Sequence, residues 1–269
     1  MVTQGQAVQV KEGIRRDVED SLVVEEPLQI RINGRPFSIT MRTPGADADL
    51  VRGLLYAEGI VDLQGLGQEV VLTRKEGYMD ASIEVPEIFL CQDRMEKRSL
   101  IANAACGFCG KTEIADLRLQ QPRLQPRQPL AAGIIPGLGQ EMRSRQTGFE
   151  ATGGCHAAAA FSIEGKFLAL YEDIGRHNAV DKVIGHLIGE GLLDVASVLQ
   201  VSGRISFEIV SKAAAAGIPF LCAVSAPSSL AVQWAHEAGI TLLAFCRENR
   251  FTVYANKENI DFGETVNGQ

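Results

Sequence analysis

Two thiols stand two residues apart in Ala104-Ala105-Cys106-Gly107-Phe108-Cys109-Gly110. This spacing lets both sulfurs face one ligand or each other, and three chemistries use it: zinc binding, disulfide exchange and sulfur transfer. A glycine follows each cysteine, which removes a Cβ and permits positive φ, so the stretch suits a mobile loop better than a helix or strand interior. Structural zinc wants four ligands, and the nearest substitute, Cys155-His156, would project to opposite sides of a strand. A thioredoxin-like site wants the pair between a strand and a helix near the N-terminus, whereas here it lies mid-chain in irregular sequence. Persulfide carriage needs one nucleophilic thiolate and, optionally, a second thiol to assist, and Arg98 and Lys111 lie close enough in sequence to favour the thiolate. The pair alone does not choose among the three.

Further polar clusters fall in the second half of the chain. Thr152-Gly153-Gly154-Cys155-His156 enters a strand through two glycines, whose exposed N–H groups suit either a phosphate nest or a plain turn. Cys155 there reads as a small packed residue, as do Cys91, Cys222 and Cys246 beside apolar runs. Glu172-Asp173-Ile174-Gly175-Arg176-His177-Asn178 concentrates acids, bases and an amide where a strand gives way to a helix. Ser202-Gly203-Arg204 and Ser225-Ala226-Pro227-Ser228-Ser229 stand at equivalent places one and two units later. Three polar turns at the carboxyl ends of successive strands predict one cleft. Phe245-Cys246-Arg247-Glu248-Asn249-Arg250 places two arginines across a tight turn, suited to phosphate contacts, with an acid and an amide suited to a purine edge.

The elements that position these groups follow from periodicity. Leu28 to Ile32 and Phe37 to Met41 alternate around Asn33-Gly34, which predicts a hairpin, with Pro36 marking an edge or a longer turn. Leu50, Leu54 and Leu55 predict a helix from Ala46 to Glu58, opened by Asp47 and Asp49 and closed by Gly59. Val70–Thr73 and Ala81–Val85 read as strands. Leu117 to Pro129 is rich in Gln, Arg and Pro and reads as linker, with a short helix over Ile134–Arg145. From His156 onward strand and helix alternate: a hairpin over 156–170, helices over 177–188, 205–216 and 228–238, and strands over 195–201, 219–224, 241–245 and 251–254. That alternation predicts an α/β fold with a mostly parallel sheet. The expected organisation is a mobile arm (1–25), an N-terminal α+β domain carrying the Cys pair (26–125), a linker (126–150) and an α/β domain (151–269).

With 269 residues, 46% hydrophobic and 22% charged, the chain has the composition of a globular protein with a sizeable core. A formal charge of -7 argues against nucleic acid as the main partner. The polar Met1–Asp20 stretch has no apolar core of a secretory signal, and no apolar run reaches the roughly 18 residues of a membrane span. Six cysteines, two of them motif-spaced, do not resemble a disulfide framework, so the reducing cytoplasm is expected.

Six stretches in one order resemble the FdhD/NarQ family of formate dehydrogenase accessory sulfurtransferases: Thr43-Pro44-Gly45-Ala46-Asp47-Ala48-Asp49-Leu50 with Ala57-Glu58-Gly59-Ile60, the Cys106–Gly110 motif, Thr152–His156, Glu172–Lys182, Ser202–Glu208 and Val224–Leu230. The resemblance implies a sulfurtransferase that takes persulfide sulfur from a cysteine desulfurase. It passes this sulfur to the molybdenum bis(molybdopterin guanine dinucleotide) cofactor before insertion into formate dehydrogenase. It assigns the persulfide to Cys106, with Cys109 assisting, and cofactor contact to Phe245, Cys246, Arg247, Glu248, Asn249 and Arg250. It also implies a homodimer and a C-terminal three-layer α/β/α domain similar to cytidine deaminases. The places of the deaminase zinc ligands hold Arg176-His177-Asn178 and Gly203-Arg204-Ile205-Ser206, so metal-activated deamination is not expected. Cys155 stands where the family carries a small apolar residue. The rival reading is a non-enzymatic chaperone for the molybdenum cofactor, with structural or metal-binding cysteines.

Overall fold

The computed structural model describes residues 1–99, 123–248 and 250–263. The chain opens with strands β1 (Val2–Lys11) and β2 (Ile14–Val23), an antiparallel ribbon turned at Glu12-Gly13, both of which have positive φ. The stretch expected as a mobile arm (1–25) is thus a two-stranded ribbon. Both faces of the ribbon look largely at solvent, so the apolar alternation that normally betrays a strand is weak there.

Strands β3 (Glu26–Ile32), β4 (Arg35–Arg42), β5 (Val70–Lys75) and β6 (Tyr78–Ile83) form a sheet of order β4-β3-β6-β5. Asn33 and Gly34, at φ 49 and 73, close the β3–β4 hairpin as their types predict. Pro36 is tolerated because β4 is an edge strand and the register shifts opposite it. Helix α1 (Asp47–Ala57) lays Leu50, Val51, Leu54 and Leu55 against Leu28, Ile30, Ile32, Ala81 and Ile83 of that sheet. Gly59, at φ 63, lets the chain leave the helix. Helix α2 (Gln92–Ser99) follows.

Beyond residue 122, β7 (Leu130–Ala131), α3 (Ile135–Ser144) and α4 (Thr147–Thr152) occupy most of the stretch expected as linker. Leu130, Ile135, Leu138 and Met142 are buried in the core of the second unit, so 130–152 belongs to that unit rather than connecting to it. Its sheet comprises β8 (His156–Phe161), β9 (Phe167–Asp173), β10 (Val198–Val201), β11 (Phe220–Ala223), β12 (Thr241–Arg247) and β13 (Arg250–Ala255), in the order β13-β12-β11-β10-β8-β9. Pairings are parallel only between β10, β11 and β12. Tight hairpins at both edges make β8–β9 and β12–β13 antiparallel, and β8 also runs antiparallel to β10. The sheet is therefore mixed, not mostly parallel.

Helices α5 (Arg176–Gly189), α6 (Phe207–Ala215) and α7 (Ser229–Ala238) pack on one face, against Leu199, Val201, Leu221 and Leu242. Helix α3 covers the other face, against Val198, Phe220, Cys222 and Leu243. A short β14 (Ile260–Asp261) pairs with β7. Among the described residues no helix is long and apolar enough to cross a membrane.

The two units meet where α1 crosses α5. A Cβ at Gly53 would overlap the Asp181 carbonyl, and one at Gly185 would overlap that of Asp49, so only glycine permits this approach. Buried charges tie the same seam. Lys182 Nζ lies 2.7 Å from Asp173 Oδ2 and donates to the Thr43 carbonyl at 2.8 Å. Thr43 N donates to Asp173 at 3.1 Å, and Ile174 N to Thr43 Oγ1 at 3.1 Å. Lys212 bridges Asp181 at 2.7 Å and Glu58 at 3.4 Å. The Tyr171 hydroxyl donates to Asp49 at 3.1 Å, and burial together with that carboxylate pushes its pKa up to about 12.

Candidate functional site

At the edge where the parallel strands end, a cleft of about 740 Å³ opens between the sheet and the α3–α4 segment. Its floor is drawn from strand ends: His156 at the start of β8, Ser202 after β10, Val224 after β11, and Cys246 to Glu248 at the end of β12. Crevices outside strand carboxyl ends are where open α/β sheets bind ligands, because the loops there diverge. The opposite wall comes from Met142, Arg143 and Gln146 beside Phe149, whose ring lies 4.9 Å from the Arg143 guanidinium. A hollow of about 780 Å³ at Leu124–Gln128 and Ala214–Gly217 has no cysteine or histidine in its lining.

Of the three polar turns expected to share one cleft, Ser202-Gly203-Arg204 contributes Ser202 to the lining, and its hydroxyl accepts from Ala157 N at 2.9 Å. Glu172–Asn178 flanks the cleft and is largely occupied in holding the fold. Asp173 accepts from Thr43 N, Gly175 N and Asn178 Nδ2, while Glu172 accepts from Gly148 N at 2.7 Å and Phe149 N at 2.8 Å. The latter pair fixes the start of α4 and with it one wall. Ser225–Ser229 plays a supporting part: the Ser228 hydroxyl caps α7, and Ala226 and Pro227 pair with Ile205.

The β12–β13 hairpin brings together most of the residues expected to touch cofactor. Cys246, Arg247 and Glu248 line the cleft, and Arg247 Nε donates to the Val224 carbonyl at 3.0 Å. A bulge lies between Ala244 and Arg247, with Phe245 at φ 55, an unusual conformation for a bulky residue. The bulge leaves Phe245 outside against Tyr254 and turns Cys246 inward, where it is 3% exposed. Arg250 opens β13. Asn249, Cys106 and Cys109 lie outside the described residues.

Three free thiols gather around this end of the sheet. A hydrogen bond between Cys222 and Cys246 holds Cys246 below the usual thiol range and Cys222 well above it. Burial, reinforced by the Glu172 carboxylate, pushes the Cys155 thiol up, so it stays protonated and acts as the packed residue its sequence context predicts. His156 is shifted the other way: burial, then the charges of Arg176, His177 and Arg204, lower its pKa. Next to it, His177 Nε2 lies 3.2 Å from Glu208 Oε2. Burial opposes ionisation of Glu208, but hydrogen bonds from His177 and Ser206 outweigh it and hold the carboxyl below its ordinary range.

The short helix expected over Ile134–Arg145 forms as α3; what its residues did not disclose is that α3 and α4 wall the cleft.

A six-stranded mixed sheet between helices, a smaller sheet bound to it by a glycine crossing, and a polar cleft at the strand ends define a two-unit α/β protein. The chain belongs to the FdhD/NarQ family, whose model matches residues 23–261. It is 40% identical over 264 residues to the sulfur carrier protein FdhD of Sulfolobus acidocaldarius, covering 94% of this chain and 96% of that one. To the protein of the same name from Nocardia farcinica it is 45% identical, covering 92% and 90%. Its fold matches the crystal structure of a protein from Desulfotalea psychrophila assigned as a formate dehydrogenase accessory protein, with TM-score 0.75, 22% identity and coverage of 96% and 99%.

Proposed function

We propose that this protein is a sulfurtransferase that carries persulfide sulfur and delivers it to the molybdenum bis(molybdopterin guanine dinucleotide) cofactor destined for formate dehydrogenase. The thiolate of Cys106 attacks the outer sulfur of a cysteine desulfurase persulfide; the donor's S–S bond breaks, its cysteine leaves as thiolate, and Cys106 becomes the persulfide. Cys109 assists release of that outer sulfur to the cofactor, which is the substrate here. The observation that carries the reading is the cleft at the β10–β12 ends, with Cys246, Arg247 and Glu248 on one side and Arg143, Gln146 and Phe149 on the other, in a chain whose relatives are named sulfur carriers. Its volume falls within the range of small-molecule sites, roughly 300–1,000 Å³. Helices on both faces of the six-stranded sheet support a cytidine deaminase-like arrangement of the second unit, and we place the protein in the cytoplasm as a homodimer.

The test is mass spectrometry of the full chain after incubation with a cysteine desulfurase and cysteine. The wild type is expected to gain one sulfur atom, about 32 Da, and Cys106→Ala to gain none and to leave formate dehydrogenase inactive. A Cys106→Ala/Cys109→Ala protein that still yields active formate dehydrogenase would overturn the reading in favour of a cofactor chaperone.

A further inference from the structure

We propose that Arg176, Arg204 and His156 form a seat for a phosphate or diphosphate group at the lip of the cleft. Three separate elements deliver these side chains: the start of α5, the turn after β10 and the start of β8. His156 and Arg176 meet at Gly203, where a Cβ would lie 3.2 Å from His156 Nδ1 and 3.7 Å from Arg176 Cβ, and Arg204, the next residue, is near enough for its charge to act on His156. A side chain at 203 would therefore press on the groups around it, and glycine keeps that space open.

Charge balance points to an anion. Among the described residues the nearby acids are committed: Asp173 to Lys182, Glu208 to His177, and Glu172 to two backbone amides. Among the described residues neither Arg176 nor Arg204 forms an ion pair within 4 Å, although the Arg176 charge is felt by Glu208, whose hydrogen bonds go to His177 and Ser206. Arg204 is exposed and available, whereas Arg176 Nε is buried without an acceptor. A buried donor left unpaired is costly, and an anion oxygen would supply what it lacks. No side chain caps α5, a 14-residue helix, so its first amides add to the positive field at the same point. Burial, and then the charges of Arg176, His177 and Arg204, disfavour protonation of His156 against the opposing pull of Asp173; an anion at the seat would favour it, so binding should be accompanied by proton uptake.

His156 also lines the cleft whose far side is the Arg247–Glu248 turn. The seat thus deepens the reading of this cleft as a nucleotide-cofactor site, and rests on it for the source of the phosphates: they would sit at Arg176 and Arg204, leaving the hairpin turn for the base. Free inorganic phosphate or pyrophosphate offers the same chemistry.

Calorimetric titration of the full-length protein with pyrophosphate, GDP and guanosine tests the seat and separates these sources. Pyrophosphate and GDP are expected to bind, and guanosine at least tenfold more weakly than GDP. Arg204→Gln and Arg176→Gln should each weaken pyrophosphate binding tenfold or more. Arg35→Gln, an equal loss of charge at an exposed position on β4, should leave it unchanged. Arg204 is exposed, so its variant keeps the test valid if Arg176→Gln fails to fold. Pyrophosphate bound without GDP would support the seat for free anions and remove the nucleotide reading of the cleft. Guanosine bound as tightly as GDP, pyrophosphate affinity unchanged by Arg204→Gln, or no pyrophosphate binding to the wild type would each overturn the seat; the first leaves the cleft reading standing.

Discussion

Lys182 is 1% exposed and shared between the Asp173 carboxylate and the Thr43 carbonyl. Removing one member of a buried pair leaves the other charge uncompensated, which typically costs about 3–5 kcal/mol. Lys182→Met should lower unfolding free energy by that order in denaturant titrations, and adding Asp173→Asn should recover part of it. His156 gives a pH signature of the opposite kind from a stabilising ion pair. Its folded pKa lies below the ordinary histidine value, so between the two the unfolded chain binds more protons than the folded one. The stability it contributes is present above the ordinary histidine pKa, about 6.5, and falls as pH drops through that value toward the lowered one. Unfolding measured at pH 7.5 and pH 5.5 should therefore show a larger loss on acidification for the wild type than for His156→Gln. Burial of His156 was not visible in its surrounding residue types, since the cations that face it come from positions 176, 177 and 204.

Among the elements, the α1–α5 crossing is the one with least tolerance. Gly185→Ala would push a methyl group into the Asp49 carbonyl, and the two helices would have to separate. In calorimetry the wild type should melt in one transition, whereas Gly185→Ala should melt at lower temperature in two, one per unit. Much of the element plan was legible because its signals are local. Asn33-Gly34 needs only its own φ values, and α7 only Ser228 at its start and Gly239, at φ 75, at its end. What escaped was set by distant partners. The β1–β2 ribbon buries too little to leave a pattern, and the part α3 plays as a cleft wall depends on β12, more than a hundred residues later. The parallel sheet expected from strand–helix alternation fails at both edges, where hairpins rather than helices join the strands.

At the scale of the whole molecule, the cleft belongs to the second unit, yet its flank depends on the first. Thr43 holds Asp173, and Asp173 holds Gly175 and Asn178 at the start of α5. The family motifs at Thr43–Leu50 and Glu172–Lys182 are thus two halves of one joint rather than two sites, a relation no reading of either stretch alone would disclose. The Cys106–Cys109 motif was the strongest chemical signal in the chain, whereas the cluster around Gly203 was spread over three stretches, and only their meeting in space shows which side chains of those polar turns come together.

The joint also has a consequence for birth on the ribosome. Residues 43–58 leave the exit tunnel well before residues 173–212 exist, and at about 5–20 residues per second the wait is on the order of ten seconds. Through that interval the nascent first unit shows the bare backbone around Gly53, which Asp181 and Gly185 later cover. Newly made chains halted before residue 170 should consequently be found with holding chaperones, and chains that have cleared residue 212 should be free of them.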